Sequence, residues 1–595
     1  MHSPFMPRRR VQALLSGIEV PRALRALVRT REYGLIVLAA LVGLVAGLVV
    51  VAMGFGVSFL HSLLFGMPLG ERLSAATKLN PVVAIAVPTL GGVAFGLGLW
   101  ALLRWRPGRE IDPIEANALH GGRMSPRGSL IVALQTVWSS GVGASVGLEA
   151  GYTQLASGLA SWLGQAFRLR RRDLRVLVGC GAAGAIAGAF GAPLAGAFYA
   201  FELVIASYSA VTLAPVGAAA LVGYLVASMF GEPSLGIGSM VVSQVRSVDL
   251  LVSALVGVAA AVVGITLMRG VAACEQALDW LRIRPLLRPM LGGLVVGALA
   301  IVMPEVLSSG HGAIRISSAT SETLSTIALL FALKTLASIA SLGTGFRGGL
   351  FFASLLIGAL GGRIFADVVN MVWPAAALDP HIYAIIGMGA LSVSVIGGPL
   401  TMTFIALETT GDFWLTATVL IAIIVSAQVT RQQFGYSFAT WRFHLRGEGI
   451  RSAADVGWVR ELTVRRMMRS DVRTVPAHTT IGRFRRVFPL GSTAQVVAID
   501  EDKHYAGIVQ VAEAHAEDYG EAMLVREILH FKDTVLLPTM TVKEAVMLFD
   551  KAEAEALAVV EAADDGEVIG LLTEAYALRR YSGELEQRRQ DLLGE

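Results

Sequence analysis

The sequence predicts an α-helical polytopic membrane protein with broken and re-entrant helices, an internal repeat expected to be inverted, and a soluble α/β tail. Three observations carry this reading. Of 595 residues, 54% are hydrophobic and only 16% charged, with a mean hydropathy of +0.63. The run Gly191-Ala192-Pro193-Leu194 through Glu202 lies over Gly397-Gly398-Pro399-Leu400 through Glu408, with Gly, Pro, Leu, Phe, Ala and Glu coinciding at one offset, 206. After about residue 447 the apolar spans give way to acidic residues and short β-rich runs.

Composition excludes several classes. The 65 glycines suit helices packed closely in lipid. Cys180 and Cys274 form neither a disulfide framework nor a metal motif, and both read as small packing residues. The net charge of +4 arises from basic residues beside apolar spans and gives no reason to expect a nucleic-acid partner. There is no phosphate-binding loop, His/Cys cluster or nucleophile elbow, so an enzyme is not expected. His311 reads as a loop residue.

Residues 1–32 are basic and no cleaved signal peptide is expected among them. The membrane part, 33–446, starts with an apolar span from about Gly34 to Phe65, longer than the roughly 20 residues an upright helix needs, and therefore tilted. Apolar stretches recur near 81–103, 128–142, 151–167, 175–206, 209–230, 249–268, 288–303, 323–342, 349–369, 381–407 and 414–428. Many are short or broken by Gly or Pro, which is tolerated at membrane depth only where protein or water covers the backbone. Basic clusters at 168–175 and 431–446 join the N-terminus in predicting cytoplasmic termini in the plasma or inner membrane.

Glu149 stands in the small-residue stretch Ser140 to Gly151. A carboxylate at membrane depth costs roughly 2.5–3.5 kcal/mol on insertion scales, so it faces water or a partner. Flanking glycines let the backbone leave the helix and offer N–H groups. Amides that attract an anion, beside a carboxylate that competes for the same place, suit an anion path. The repeat places such a site at its interface.

These elements resemble the CLC family of chloride channels and anion/proton exchangers over nearly the whole chain. Gly184–Glu202 is similar to the family's helix leading to the intracellular surface. Gly147-Leu148-Glu149-Ala150-Gly151 resembles its gating-glutamate motif, and Gly349-Leu350-Phe351-Phe352-Ala353 its Gly-x-Phe-x-Pro motif. Tyr436 falls at the pore tyrosine. The resemblance implies gating by Glu149, an anion held by amides of Leu148, Glu149, Ala150, Leu350 and Phe351 in the Gly349 motif, a Tyr436 hydroxyl, and a homodimer with one pore per subunit.

The departures are specific. Where the family has Gly-Ser-Gly-Ile-Pro, this chain reads Gly108-Arg109-Glu110-Ile111-Asp112-Pro113, with Arg109 on the serine. In the pore, Arg109 would suit bicarbonate or another planar oxyanion; otherwise it reaches the surface or pairs with Glu110 or Glu115. Where the family's exchangers carry a second glutamate after Glu202, the chain has Leu203, which cannot relay a proton. The resemblance therefore favours a passive channel for chloride or a related anion. A proton-coupled exchanger and a non-conducting sensor signalling through the tail are the alternatives. Glu202, matched by Glu408, reads as a structural helix-end residue.

The tail, 447–595, holds a second repeat: Ala498-Ile499 with Gly507-Ile508-Val509, and Val559-Val560 with Gly570-Leu571-Leu572-Thr573. It resembles a pair of CBS domains, about 463–515 and 530–582. Some pairs bind adenine nucleotides through an acidic residue; here Glu513 and Tyr576 occupy the two places, with Thr573 nearby. A structural, dimerising tail is the leading expectation, nucleotide binding the alternative. No other cofactor and no metal are expected.

Overall fold

A computed structural model describes residues 32–76, 78–105, 110–231, 244–310, 323–435, 437, 463–562 and 566–580. The chain divides into two compact units, 1–454 and 455–595.

The first unit is helical: α1 (Glu32–Phe65), α2 (Pro81–Trp105), α3 (Pro113–Leu119), α4 (Pro126–Gly141), α5 (Glu149–Ala166), α6 (Arg171–Phe190), α7 (Pro193–Tyr199), α8 (Ala210–Met229), α9 (Ser247–Trp280), α10 (Arg288–Val302), α11 (Leu324–Gly343), α12 (Phe351–Val372), α13 (Pro380–Ile396), α14 (Pro399–Thr410) and α15 (Phe413–Gln433). Eight of these, α1, α2, α6, α8, α9, α11, α12 and α15, are long and apolar enough to cross a membrane. At about 1.5 Å per residue the 34-residue α1 is far longer than a roughly 30 Å hydrocarbon core.

The boundaries correct the sequence in three places. The apolar run 175–206 is two helices: Gly191 takes φ +69°, a left-handed stop, and Pro193 then fixes the first turn of α7. The run 381–407 breaks the same way at Gly397, φ +85°, before Pro399. α3 was not anticipated; Asp112 caps it by accepting the Glu115 N–H, and Pro113 sits at its first position.

The repeat extends beyond the matched motif. In order, α1, α2, α4, α5, α6, α7 and α8 correspond to α9, α10, α11, α12, α13, α14 and α15. Equivalent helices pack equivalently: α1 lies on α8 as α9 lies on α15, and α5 on α6 as α12 on α13. α2 packs on its own counterpart α10, and α7 on α14. At the first pair a side chain on Gly92 would strike the Pro289 carbonyl, and one on Gly293 the Pro88 carbonyl. At the second, Glu408 accepts the N–H groups of Leu194 and Ala195 at 2.8 and 2.9 Å, while Glu202 accepts those of Leu400 and Thr401 at the same distances. The end of each helix thus caps the start of the other, so α7 and α14 run antiparallel.

The second unit repeats one small motif. β1 (Thr474–Pro476) pairs parallel with β2 (Gln495–Ile499), which pairs antiparallel with β3 (Tyr505–Gln510); α16 (Val464–Met467), α17 (Ile481–Val487) and α18 (Val511–Ala514) accompany them. In the second copy Leu536 pairs parallel with Val559 of β4 (Ala556–Val560), and β4 pairs antiparallel with β5 (Val568–Thr573). α19 (Val542–Ala552) fills the place of α17. The two copies exchange their leading segments. Thr463 and Arg469 bridge to Thr541 and Leu571 in the second, whereas Leu524 and His530 bridge to Thr480 and Ile508 in the first. The copies are therefore interleaved.

Candidate anion site

Two helix starts converge at the centre of the first unit. Gly147 and Gly349 form a two-residue antiparallel bridge, N–H to carbonyl at 2.9 Å one way and 3.1 Å the other. Two further bonds repeat this exchange: Ser139 Oγ accepts the Arg347 N–H at 3.0 Å, and Ser341 Oγ accepts the Ser145 N–H at 2.8 Å. Immediately after the bridge, α5 begins at Glu149 and α12 at Phe351. Both N-termini bring unsatisfied N–H groups and a partial positive charge to one place.

Glu149 fills that place. Its side chain is 5% exposed, and Oε1 accepts the Phe351 N–H at 2.6 Å. Oε2 is buried with no hydrogen-bond partner among the described residues. The carboxylate lies over the bare α-carbons of Gly147 and Gly349, where any side chain would collide with it. Phe351 and Phe352 are held by Phe190, whose ring lies 4.4 and 4.2 Å from theirs.

The expected site residues fare differently. Leu148, the N-cap of α5, and Ala150 stand with Glu149 at one helix start, and Leu350, the N-cap of α12, with Phe351 at the other. Gly349 donates its N–H to Gly147 and leaves clearance for the carboxylate. Arg109, Tyr436 and His311 lie outside the described residues. Leu203 lies in a π-helical turn, Ala200–Ile205, that continues α7. Such turns are rare and concentrate at functional positions. Cys180 is buried and Cys274 partly so, both as free thiols.

Sequence reasoning missed Tyr199, which ends α7 with its ring 6.2 Å from that of Phe351. Lys334 was missed as well. It is fully buried and donates to the carbonyls of Val306 and Ser308 at 3.0 and 2.8 Å. Ser308 in turn donates its N–H to Gly143, in the loop before Glu149.

In the tail, Glu513 is already engaged. It accepts the Tyr519 hydroxyl at 3.0 Å and contacts His530 Nε2 at 2.5 Å. Its carboxylate holds the Tyr519 phenol above its ordinary value. Thr573 closes β5 opposite Ala556.

Residues 91–431 match a family described as voltage gated chloride channel, and residues 525–583 match the CBS domain. A ClcB-like protein of Ralstonia nicotianae is 32% identical over 370 residues, 60% of this chain and 85% of the relative. The voltage-gated ClC-type chloride channel ClcB of Escherichia coli is 29% identical over 402 residues, 67% of this chain and 95% of the relative. Among solved structures, a slow cyanobacterial Cl−/H+ antiporter superposes with a TM-score of 0.61 at 21% identity, covering 69% of this chain and 97% of that one. A eukaryotic CLC transporter superposes at 0.53 with 17% identity, covering 91% and 97%.

Proposed function

The chain belongs to the voltage gated chloride channel (CLC) family, and from that premise we propose that it exchanges chloride or a related small anion for protons at the Glu149 site. The observation that carries this is the position of the carboxylate. Glu149 Oε1 takes the Phe351 amide that an anion would take, so carboxylate and anion are alternatives for one place. Taking a proton removes the charge that holds Glu149 there, and the amide becomes available to an anion. Anion entry and protonation are then two halves of one event. Proteins described as antiporters share the fold, which supports the same reading.

Leu203 favours a second reading, passive conduction, because no carboxylate occupies that position. Flux from liposomes containing the purified protein separates the two. Exchange moves protons against their gradient when an anion gradient is imposed; passive conduction moves the anion alone; a sensor moves neither.

We infer that the protein acts in the plasma or inner membrane as a homodimer with cytoplasmic termini. The basic cluster at the start of α6 supports that orientation. The tail is read as a structural CBS pair, because Glu513 is held by Tyr519 and His530 and is not poised for a nucleotide.

A further inference from the structure

One face of α11 is polar and wholly buried. Lys334, Ser338 and Ser341 recur at positions i, i+4 and i+7, which puts them on one side of the helix. Each is 0% exposed. The two serines hold the loop that delivers Glu149: Ser338 Oγ lies 3.1 Å from Ser145 Oγ, and Ser341 Oγ accepts the Ser145 N–H at 2.8 Å. Ser145 stands four residues before Glu149. Lys334 precedes Ser338 by one helical turn, about 6 Å along the axis.

The head of Lys334 also lies near the other helix of the site. A side-chain carbon on Gly310 would sit 3.5 Å from Lys334 Nζ and 2.8 Å from Leu356. Leu356 belongs to α12 and follows Phe351 by five residues, about 7.5 Å along the axis. The amine thus stands close to both elements that converge on the anion place. Its own hydrogen bonds go to the carbonyls of Val306 and Ser308, which carry only partial charge. Among the described residues no carboxylate pairs with it, Glu305 beside Val306 included. A buried cation is costly unless a negative charge offsets it. The negative charge available here is the one that occupies the Phe351 amide, either the Glu149 carboxylate or an anion.

We propose that Lys334 is the counter-cation of the anion site: without touching the anion, its charge raises the affinity of whichever negative group takes the Phe351 amide. The inference rests on the anion reading of that site and holds for exchange and conduction alike. At an effective dielectric of about 20, a unit charge on the order of 10 Å away changes an anion's affinity roughly tenfold. Burial keeps dissolved salt from screening the attraction. The effect depends on charge alone, so it lifts all small monovalent anions together and does not choose among them.

The test measures chloride and bromide binding to full-length protein in detergent by titration calorimetry, with Glu149→Gln as the parent. That parent leaves the Phe351 amide to the anion, whereas an ionised Glu149 shares the attraction and masks it. Added to it, Lys334→Gln keeps N–H donors for the carbonyls and removes the charge. Lys334→Met, close to lysine in length, is a second neutral variant, and Lys334→Arg keeps the charge. The neutral variants are expected to raise the Kd roughly tenfold for both anions alike, and the arginine variant to stay close to the parent. Melting temperatures without either anion show which variants fold. A folded neutral variant with the parent's affinity overturns the inference and leaves Lys334 as a neutral amine capping two carbonyls. A loss as large with arginine as with glutamine also overturns it, because charge is then not the cause. A parent that binds neither anion is a different result: it overturns the anion reading of the site and the inference with it.

Discussion

Glu149 and Phe351 occupy equivalent positions in the two repeats, each opening a helix two residues after one member of the bridged pair Gly147–Gly349, and the amide of one holds the carboxylate of the other at 2.6 Å. The same structural position carries a carboxylate in one repeat and the amide that holds it in the other.

Glu149→Gln fixes the side chain in an uncharged form. Proton movement is expected to vanish while anion movement persists and loses its dependence on pH. Paired recordings of anion efflux and external pH check both parts.

Gly349→Ala puts a methyl group where Oε1 now lies. The carboxylate must leave the Phe351 amide. Wild-type anion movement should rise as pH falls, because protonation releases Glu149. In the variant, movement at neutral pH should approach the wild-type value at low pH. Gly147→Ala meets the other oxygen and should act in the same direction.

Much of this fold was legible because a membrane chain announces its spans by hydropathy, and because Gly191-Ala192-Pro193 and Gly397-Gly398-Pro399 carry the same break. The central repeat was not legible. The bridge pairs residues at an offset of 202, from Gly147 to Gly349, whereas the visible motif runs at 206. The shift between these regions hides the match, and Glu149 opposite Phe351 breaks it at the site itself. Ser139, Gly141, Gly143, Gly147 and Leu148 do match Ser341, Gly343, Gly345, Gly349 and Leu350 at the 202 offset, and they were the available clue.

Glu202→Ala and Glu408→Ala each strip a capping acceptor from two backbone N–H groups. Each should cost about 0.5–2 kcal/mol, the usual range for a lost N-terminal cap. Thermal unfolding in detergent should show similar losses for the two, whereas the proton-to-anion ratio of the surviving protein stays at the wild-type value.

Lys334→Met leaves the carbonyls of Val306 and Ser308 buried without their donor. The cost is about 1–3 kcal/mol for the unsatisfied groups. Lys334→Arg should recover part of the loss if its longer head finds the same carbonyls, and the melting temperatures of the three proteins rank the outcome.

The tail should not take an adenine nucleotide at Glu513. Equilibrium binding of labelled ATP to the full-length protein is expected to be undetectable at millimolar concentration. Binding that disappears in Thr573→Ala would instead assign the tail a sensing role.

The central claim is that one carboxylate couples two ions, and the most direct measurement imposes a chloride gradient on liposomes at equal internal and external pH. The account predicts that wild-type protein moves protons uphill and that Glu149→Gln does not. Chloride movement in the wild type with no accompanying change in pH would contradict it and establish a passive conductor.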